Sequence, residues 1–140
     1  MSDLEANRVL IRRFIEEVVN TGDVSGLAEF VSEDCVATDG TVRVVSGVAG
    51  MAEHVLGVRQ TYPDLRLSIQ QQIAEGEWVA TQVLATGTHR GGWLGMKPTG
   101  KVLAMVAVNM DRVVNGKLVE HGGAANMLEP LLEAGALRPA

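Results

Sequence analysis

Outside residues 35–45, the hydrophobic residues of the first 62 positions recur every three or four residues, which is the spacing of helices with one buried face. Ser2 followed by Glu5 is a capping-box pattern and predicts a first helix that ends near residues 20–22. Asp23 and Ser46 are suitable caps for a second and a third helix. The N-terminal part of the chain is therefore expected to be mainly helical.

Beyond Pro63, which a helix cannot continue through, the hydrophobic period falls to two. Alternation from Leu65 to Ile73 predicts a strand that buries both of these apolar residues on one face. Three further strands are predicted at Trp78–Thr88, Val102–Val113 and Lys117–Ala125. Residues 35–45 are expected to form two short β segments around a turn at Asp39-Gly40, and a short tail helix is expected to end near Gly135.

Helices separated from a run of long antiparallel strands indicate an α+β fold, with residues 1–140 as a single domain. A curved antiparallel sheet that wraps around a long helix would leave a cone-shaped hollow. The turn Asn115-Gly116, a strong hairpin signal, fixes the register of the last two strands.

This register predicts which residues share a face of the last hairpin. Its cross-strand pairs are Asp111 with Glu120, Asn109 with Gly122, and Met105 with Asn126. Their face combines small and short polar side chains, as the walls of ligand pockets do. Like charges opposite each other leave two interpretations open. Either Asp111 and Glu120 are solvated or separated by a bulge, or they form a carboxylate pair that serves as a general acid or base.

The opposite face of the hairpin is mostly apolar, and we expect it to bind a second copy of the chain in a homodimer. His121 falls on this outer face and is assigned to the interface. His54, on the third helix, is assigned to the surface, and Cys35 to the core.

Residues 87–100 contain five glycines around Trp93 and predict one wall of a cavity. Trp93 either stacks on a flat aromatic substrate or anchors the loop. His89 is either a base in the pocket or a loop histidine bonded to solvent or backbone. Asn126 either lines the pocket or caps the tail helix, and Asn109 is either a pocket group or a strand-end polar residue.

Composition narrows the class of protein. A net charge of −5 and no cluster of Lys or Arg argue against binding to nucleic acid or to an anionic membrane. The N-terminus has no signal-peptide pattern, and no apolar stretch approaches the roughly 20 residues of a membrane span, so a cytoplasmic protein is expected. The three histidines lack metal-ligand spacing, and neither a metal nor a cofactor is expected.

Three segments carry a resemblance to a known family: Tyr62-Pro63-Asp64-Leu65, the glycine-rich segment 87–100, and residues 112–121. Together they resemble the SnoaL-like polyketide cyclases of the NTF2-like superfamily, from about residue 7 to residue 135. The resemblance implies a cone-shaped α+β barrel that forms dimers or tetramers, with the active site inside the cone. It also implies ring closure by an intramolecular aldol condensation, without metal or cofactor.

The chain departs from the family pattern at three places. Asn126 stands where the family has an acid/base aspartate, Gly122 stands where a tryptophan is usual, and Val36-Ala37-Thr38 replaces Val-Asn-His. Relatives without the cyclase residues include proteins assigned as polyketide hydroxylases. We therefore expect either a divergent cyclase or a hydroxylase-like enzyme acting on a flat polycyclic molecule, with a non-catalytic binding protein as the alternative.

The expected catalytic residues are Asn126, Asp111, Asn109 and His89, and the expected substrate contacts are Trp93, Met105, Gly122, Thr38 and Gln82.

Overall fold

The computed structural model describes residues 2–39 and 42–140, so Gly40 of the predicted turn lies outside the described residues. Its helices are α1 (Asp3–Phe14), which continues as a π-helical turn (Ile15–Val19), a 3₁₀ turn (Leu27–Glu29), α2 (Gly47–Thr61) and α3 (Leu128–Ala134). Its strands are β1 (Val31–Asp39), β2 (Val42–Val45), β3 (Arg66–Glu75), β4 (Trp78–Thr88), β5 (Val102–Val114) and β6 (Lys117–Ala125).

The strands form one curved sheet in the order β2-β1-β6-β5-β4-β3, and the predicted α+β cone is confirmed. Neighbouring strands are antiparallel, except that β1 runs parallel to β6. The last strand of the chain therefore lies in the middle of the sheet, between β1 and β5. No helix in the described part of the chain is long and apolar enough to cross a membrane.

A side-chain hydrogen bond caps α1 but not α2. At the start of α2 the hydroxyl of Ser46 donates to the Cys35 carbonyl instead, so the predicted cap by Ser46 is wrong. The hydroxyl of Ser2 accepts a hydrogen bond from the Glu5 amide at 3.2 Å, as the capping-box pattern predicts. Asp23 does not cap a second helix, and that prediction is wrong. Its carboxylate instead accepts from the backbone and hydroxyl of Ser25, which closes a local turn, and only the 3₁₀ turn follows.

A bulge corrects the predicted face of β3. Ile69 pairs with Val83 but Gln71 pairs with Gln82, so the register shifts at Gln70. Side chains beyond the bulge change face, and Ile73 is 59% exposed instead of buried with Leu65.

A second bulge corrects the last hairpin. Val114 pairs with Lys117 as the turn predicts, but Arg112 pairs with Glu120, so Val119 is an extra residue in β6. The bulge removes the predicted like-charge pair and places Glu120 opposite a cation, which is the more favourable arrangement. Asp111 consequently lies opposite His121.

Two clusters of buried residues pack between the helices and the sheet. The first cluster of buried residues joins α1, the π-helical turn and α2 to the sheet and contains Ile11, Phe14, Ile15, Leu27, Met51, Val55, Val79, Val83 and Leu118. The second joins the end of α2 and α3 to β4 and β5 and contains Tyr62, Leu65, Ala85, Leu103, Met105, Leu131 and Ala134. Cys35 is fully buried in the first cluster, which confirms its assignment to the core.

Candidate active site

The inner face of the sheet holds an acid–base pair formed by neighbouring strands. Asp111 on β5 and His121 on β6 are cross-strand partners, and their Oδ1 and Nδ1 atoms are 2.6 Å apart. The Asp111 side chain is 1% exposed and the His121 side chain 15% exposed. The pair is thus held by two neighbouring strands and almost removed from water, and the imidazole is the more accessible of the two side chains.

The carboxylate decides the tautomer of the imidazole. A carboxylate only accepts hydrogen bonds, so the Nδ1 atom of His121 donates its proton to Asp111. Burial alone would lower the pKa of His121, but the charge of Asp111 and the hydrogen bond to it outweigh burial, and the pKa of His121 is raised. With Nδ1 bonded to Asp111, Nε2 is the ring nitrogen that can accept and return a proton.

Two side chains from the helices pack against this imidazole. The ring of His54 on α2 lies 5.7 Å from the ring of His121, edge to face, and Phe14 of α1 lies 6.3 Å away. Partial desolvation of its ring and the nearby His121 together lower the pKa of His54. His54 is exposed as a whole, as the sequence predicts, although its ring reaches the buried pair.

Cys35 lies within the electrostatic influence of the same pair. Burial, followed by the negative charge of Asp111, raises the pKa of the Cys35 thiol to about 11. A thiol with this pKa is protonated near neutral pH and is a poor nucleophile. Covalent catalysis by Cys35 is therefore disfavoured, and the acid–base pair is the most reactive feature of this region.

Two of the expected site residues share the inner face with Asp111. Asn109 is half-buried and lies two residues before Asp111, which places the two Cα atoms about 7 Å apart on one face. It pairs with Gly123, not with Gly122 as predicted. Met105 is buried farther along β5, in the second cluster.

Two other expected residues, Asn126 and Gln82, lie away from the pair. Asn126 is exposed, and its backbone amide donates to Val106, so the predicted pairing with Met105 is wrong by one residue. It lies five residues beyond His121, about 16 Å along the strand. Gln82 lies on the outer face, where its amide donates to the Gln70 side chain.

Gly122 and Thr38 sit side by side on the face away from His121. Gly122 pairs with the exposed Met110, and a Cβ added at Gly122 would collide with the hydroxyl of Thr38. The space left by the missing side chain is therefore filled by Thr38, which donates a hydrogen bond to the backbone oxygen of His121 at 3.4 Å. The prediction that Gly122 faces the hollow beside Asn109 is wrong for this reason.

The glycine-rich loop is firmly attached to the end of α2. Arg90 and Gly91 donate backbone hydrogen bonds to the Thr61 carbonyl, and a Cβ at Gly91 would collide with the carbonyl oxygen of Gln60. Asp64 accepts hydrogen bonds from the amide and hydroxyl of Thr88, and these bonds lower its pKa. These hydrogen bonds hold the loop against the end of α2.

Within the loop, His89 is buried and Trp93 is partly exposed. The Nδ1 atom of His89 accepts a hydrogen bond from the Thr99 amide at 3.4 Å, and its ring packs on Tyr62. Trp93 and Met96 exchange backbone hydrogen bonds across a tight turn. The structure brings neither residue to the Asp111–His121 pair, and their functional roles stay predictions.

Sequence reasoning missed His121 as a site residue because it missed the bulge at Val119. One extra residue in β6 moves His121 from the outer to the inner face. The unfavourable pair of Asp111 with Glu120 was the signal that could have identified it. The described residues contain no group of three or more His, Cys, Asp or Glu side chains arranged to bind a metal ion.

A curved sheet closed by helices, with polar groups inside its hollow, defines the NTF2-like class of α+β cones. Within that class, the chain belongs to the SnoaL-like polyketide cyclase family, whose family model matches residues 9–133.

Two relatives of the chain are named as methyl ester cyclases. The chain is 27% identical over 114 residues to the aklanonic acid methyl ester cyclase AcmA of Streptomyces galilaeus. This match covers 79% of this chain and 78% of AcmA. It is 29% identical over 105 residues to the nogalonic acid methyl ester cyclase of Streptomyces nogalater. This match covers 73% of this chain and 78% of that cyclase.

Solved structures show the same fold. AclR of Streptomyces galilaeus, a candidate hydroxylase, superposes with a TM-score of 0.83 at 30% identity, over 99% of this chain and 90% of AclR. A SnoaL-like protein of Jannaschia sp. CCS1 superposes with a TM-score of 0.85 at 19% identity, over 99% of this chain and 98% of that one, which is evidence of the fold alone.

Proposed function

We propose that this protein is an enzyme of polyketide-type metabolism that acts on a flat polycyclic substrate in the hollow of the cone. The observation that carries the proposal is the Asp111–His121 pair, buried on the inner face and joined by a 2.6 Å hydrogen bond. Relatives named as methyl ester cyclases and as a candidate hydroxylase support the substrate class.

In the proposed mechanism His121 is the general acid and base. Its Nε2 atom takes a proton from a carbon next to a substrate carbonyl, which leaves an enolate. The enolate carbon then bonds to a second carbonyl of the same molecule, and the resulting alkoxide takes the proton back from His121. Asp111 keeps the Nδ1 proton in place and stabilises the imidazolium formed between the two steps.

Asn109 is the proposed orienting group of this site. It lies on the inner face two residues from Asp111, and its amide can donate a hydrogen bond to the substrate carbonyl that becomes the enolate. The charge that develops on this oxygen makes the hydrogen bond stronger in the transition state than in the bound substrate.

Turnover of aklanonic acid methyl ester, followed by chromatography, tests the proposal. His121→Gln and Asp111→Asn should each lower kcat by about 10²–10⁴-fold, because proton transfer by a positioned side chain contributes that much. Arg112→Gln is the matched control: this residue neighbours Asp111 but faces outward and forms a surface ion pair with Glu77. Wild-type kcat in both site variants, with circular dichroism unchanged, would contradict the acid–base role.

Asn126 gives the same assay a second use. The resemblance to the family assigns it the position of the acid/base aspartate, yet it is exposed. A loss of turnover in Asn126→Ala equal to that in His121→Gln would place a catalytic group at the end of β6. Unchanged turnover leaves the Asp111–His121 pair as the acid–base group.

A non-catalytic binding protein is the alternative function, favoured by the exposed asparagine in place of the acid/base aspartate. In that case the wild-type protein binds aklanonic acid methyl ester but never converts it. Calorimetric binding without any product after prolonged incubation would decide for this alternative.

We also propose a homodimer through the outer face of the sheet. Val102, Val106, Val108 and Met110 present a continuous apolar stripe along β5, with Val102 71% exposed. Analytical ultracentrifugation should show a dimer that Val106→Asp converts to a monomer. A wild-type monomer at all concentrations would contradict this assembly.

A further inference from the structure

Tyr62 carries a buried hydroxyl that has no partner. Tyr62 is the only tyrosine of the chain and follows the last residue of α2. Its side chain is 5% exposed, and its hydroxyl oxygen forms no hydrogen bond within the described part of the protein. Buried polar groups in folded proteins nearly always have a partner, so this hydroxyl calls for a specific explanation.

A phenylalanine would fill the same space without a polar atom to satisfy. Leaving a buried hydroxyl unpaired is unfavourable, and an apolar replacement of the same shape removes that penalty. Burial also raises the pKa of Tyr62, so the phenol is neutral near physiological pH and can donate a hydrogen bond. No acceptor for this donor is present among the described residues.

The position of the Tyr62 ring is fixed by its surroundings. Its ring centroid lies 5.8 Å from that of His89, whose Nδ1 is already engaged with Thr99. A Cβ added at Gly87 would lie 2.7 Å from the Cβ of Tyr62, so only glycine permits this approach. Both contacts restrict the position of the ring, and the hydroxyl is not satisfied by the histidine beside it.

The Tyr62 ring packs on the inner side of the sheet. Tyr62 packs in the second cluster with Leu103 and Met105, which lie on the inner face of β5. Asp111 and Asn109 lie farther along this same face of the strand. The tyrosine and the proposed reaction centre therefore share one surface of the sheet.

The helix α2 connects the two places. His54 and Val58 lie four residues apart on α2, and the amide of Tyr62, directly after the helix, donates to the Val58 carbonyl. His54 packs against His121. The backbone of Tyr62 lies about 12 Å farther along the helix axis than that of His54.

We propose that Tyr62 is a second polar contact of the substrate site, which donates a hydrogen bond to a carbonyl oxygen at the far end of a multi-ring substrate while the reacting carbon lies at His121. The inference rests on the proposed function and adds a requirement for the substrate. The ligand must be long enough to span two turns of α2 and must carry an oxygen acceptor at the end away from the reacting carbon. An apolar middle section would lie against Val58 and Met105.

Tyr62→Phe tests this role because it should lower the affinity for the ligand without lowering the stability of the free protein. Binding of aklanonic acid methyl ester is measured by calorimetry, and stability by the urea midpoint of the ligand-free protein. We expect affinity to fall about 3- to 10-fold, the usual worth of one neutral hydrogen bond. The urea midpoint should be unchanged or higher, because the unpaired hydroxyl is removed.

The single tyrosine also gives a direct signal in the wild-type protein. With ¹³Cζ-labelled tyrosine, one resonance is expected, and it should shift when the probe binds if the hydroxyl gains an acceptor. A resonance that does not shift, or a Tyr62→Phe variant with unchanged affinity, overturns the inference. So does a lower urea midpoint of the variant, which would show that the hydroxyl has a partner, such as a buried water, in the free protein.

The two proposals fail in different ways. A wild-type protein that does not bind the probe overturns the proposed function and this inference with it. If the wild type binds, turns over and loses activity in His121→Gln while Tyr62→Phe binds equally well, only the role of Tyr62 is overturned. Tyr62→Leu separates the ring from the hydroxyl, since loss of the ring should reduce stability as well as affinity.

Discussion

Replacing Asp111 by asparagine should destabilise the protein by an amount that depends on pH. The substitution keeps the size of the side chain but removes the negative charge beside His121. In the wild-type protein this charge raises the pKa of the His121 imidazole. A hydrogen bond to a charged group contributes about 1.5–3 kcal/mol, and with Asp111 only 1% exposed little of this is lost to solvent screening. We expect Asp111→Asn to lose about that amount of unfolding free energy at pH 6.

The sign of the pH dependence follows from linkage. The folded-state pKa of His121 is raised above its ordinary value of 6.5, so the stabilisation is complete below pH 6.5 and is lost as the pH rises through the folded-state pKa. The deficit of Asp111→Asn should therefore shrink between pH 6 and pH 9. The change corresponds to about 1.4 kcal/mol for each pH unit by which Asp111 raises the pKa of His121.

Neighbouring groups do not obscure this window. The pKa of Cys35, about 11, keeps that thiol neutral, and the lowered pKa of His54 places its titration below that of free histidine. Urea unfolding at pH 6 and pH 9 measures the deficit, and proton NMR of the three histidines follows the titration of His121 itself.

Arg112→Gln is again the matched control, because the ion pair of Arg112 with Glu77 is about half exposed. It should cost about 0–1 kcal/mol at either pH. An equal deficit of Asp111→Asn at both pH values, or one that grows towards pH 9, would refute the charge coupling between Asp111 and His121.

Two further predictions concern the scaffold. The Arg59 guanidinium donates to the backbone carbonyl groups of Val19 and Asn20, at the end of the π-helical turn, and of Pro63 and Leu65, before β3. The single ammonium group of lysine cannot reproduce this fork of donors. Arg59→Lys should lower the free energy of unfolding by about 1–3 kcal/mol, and an unchanged urea midpoint would contradict the role of the fork. Gly91→Ala should cost about 1–3 kcal/mol, because its Cβ meets backbone. Gly57→Ala, in open space within α2, should instead stabilise by about 0.5–1 kcal/mol, and calorimetry that ranks the two alike would show that the contact at Gly91 yields easily.

Hydrophobic periodicity and turn chemistry were sufficient to predict most of the fold. The boundaries of β4 and β6 agree with the alternating pattern, and the pairing of Val114 with Lys117 follows from Asn115-Gly116. These features depend on residues close together in the chain, which is why the sequence predicts them.

The bulges could not be predicted from local pattern. Their cost and benefit depend on which side chains they bring together across strands, and the residues at Gln70 and Val119 carry no local signal of their own. A single extra residue reverses the face of everything beyond it. The candidate site was therefore predicted in part, with Asp111 and Asn109 on the correct face and His121 on the wrong one.

The parallel pairing of β1 with β6 has a consequence for how the chain folds. The strand in the middle of the sheet is the last one to leave the ribosome, so β1 has no neighbour on that side until residues 118–121 of β6 are available. Contacts between distant parts of a sequence form slowly because a long loop must be closed first. Formation of the Asp111–His121 pair should thus coincide with completion of the sheet, and chains truncated after residue 114 should unfold without a cooperative transition. Any ligand that binds the hollow arrives after the whole domain has been synthesised.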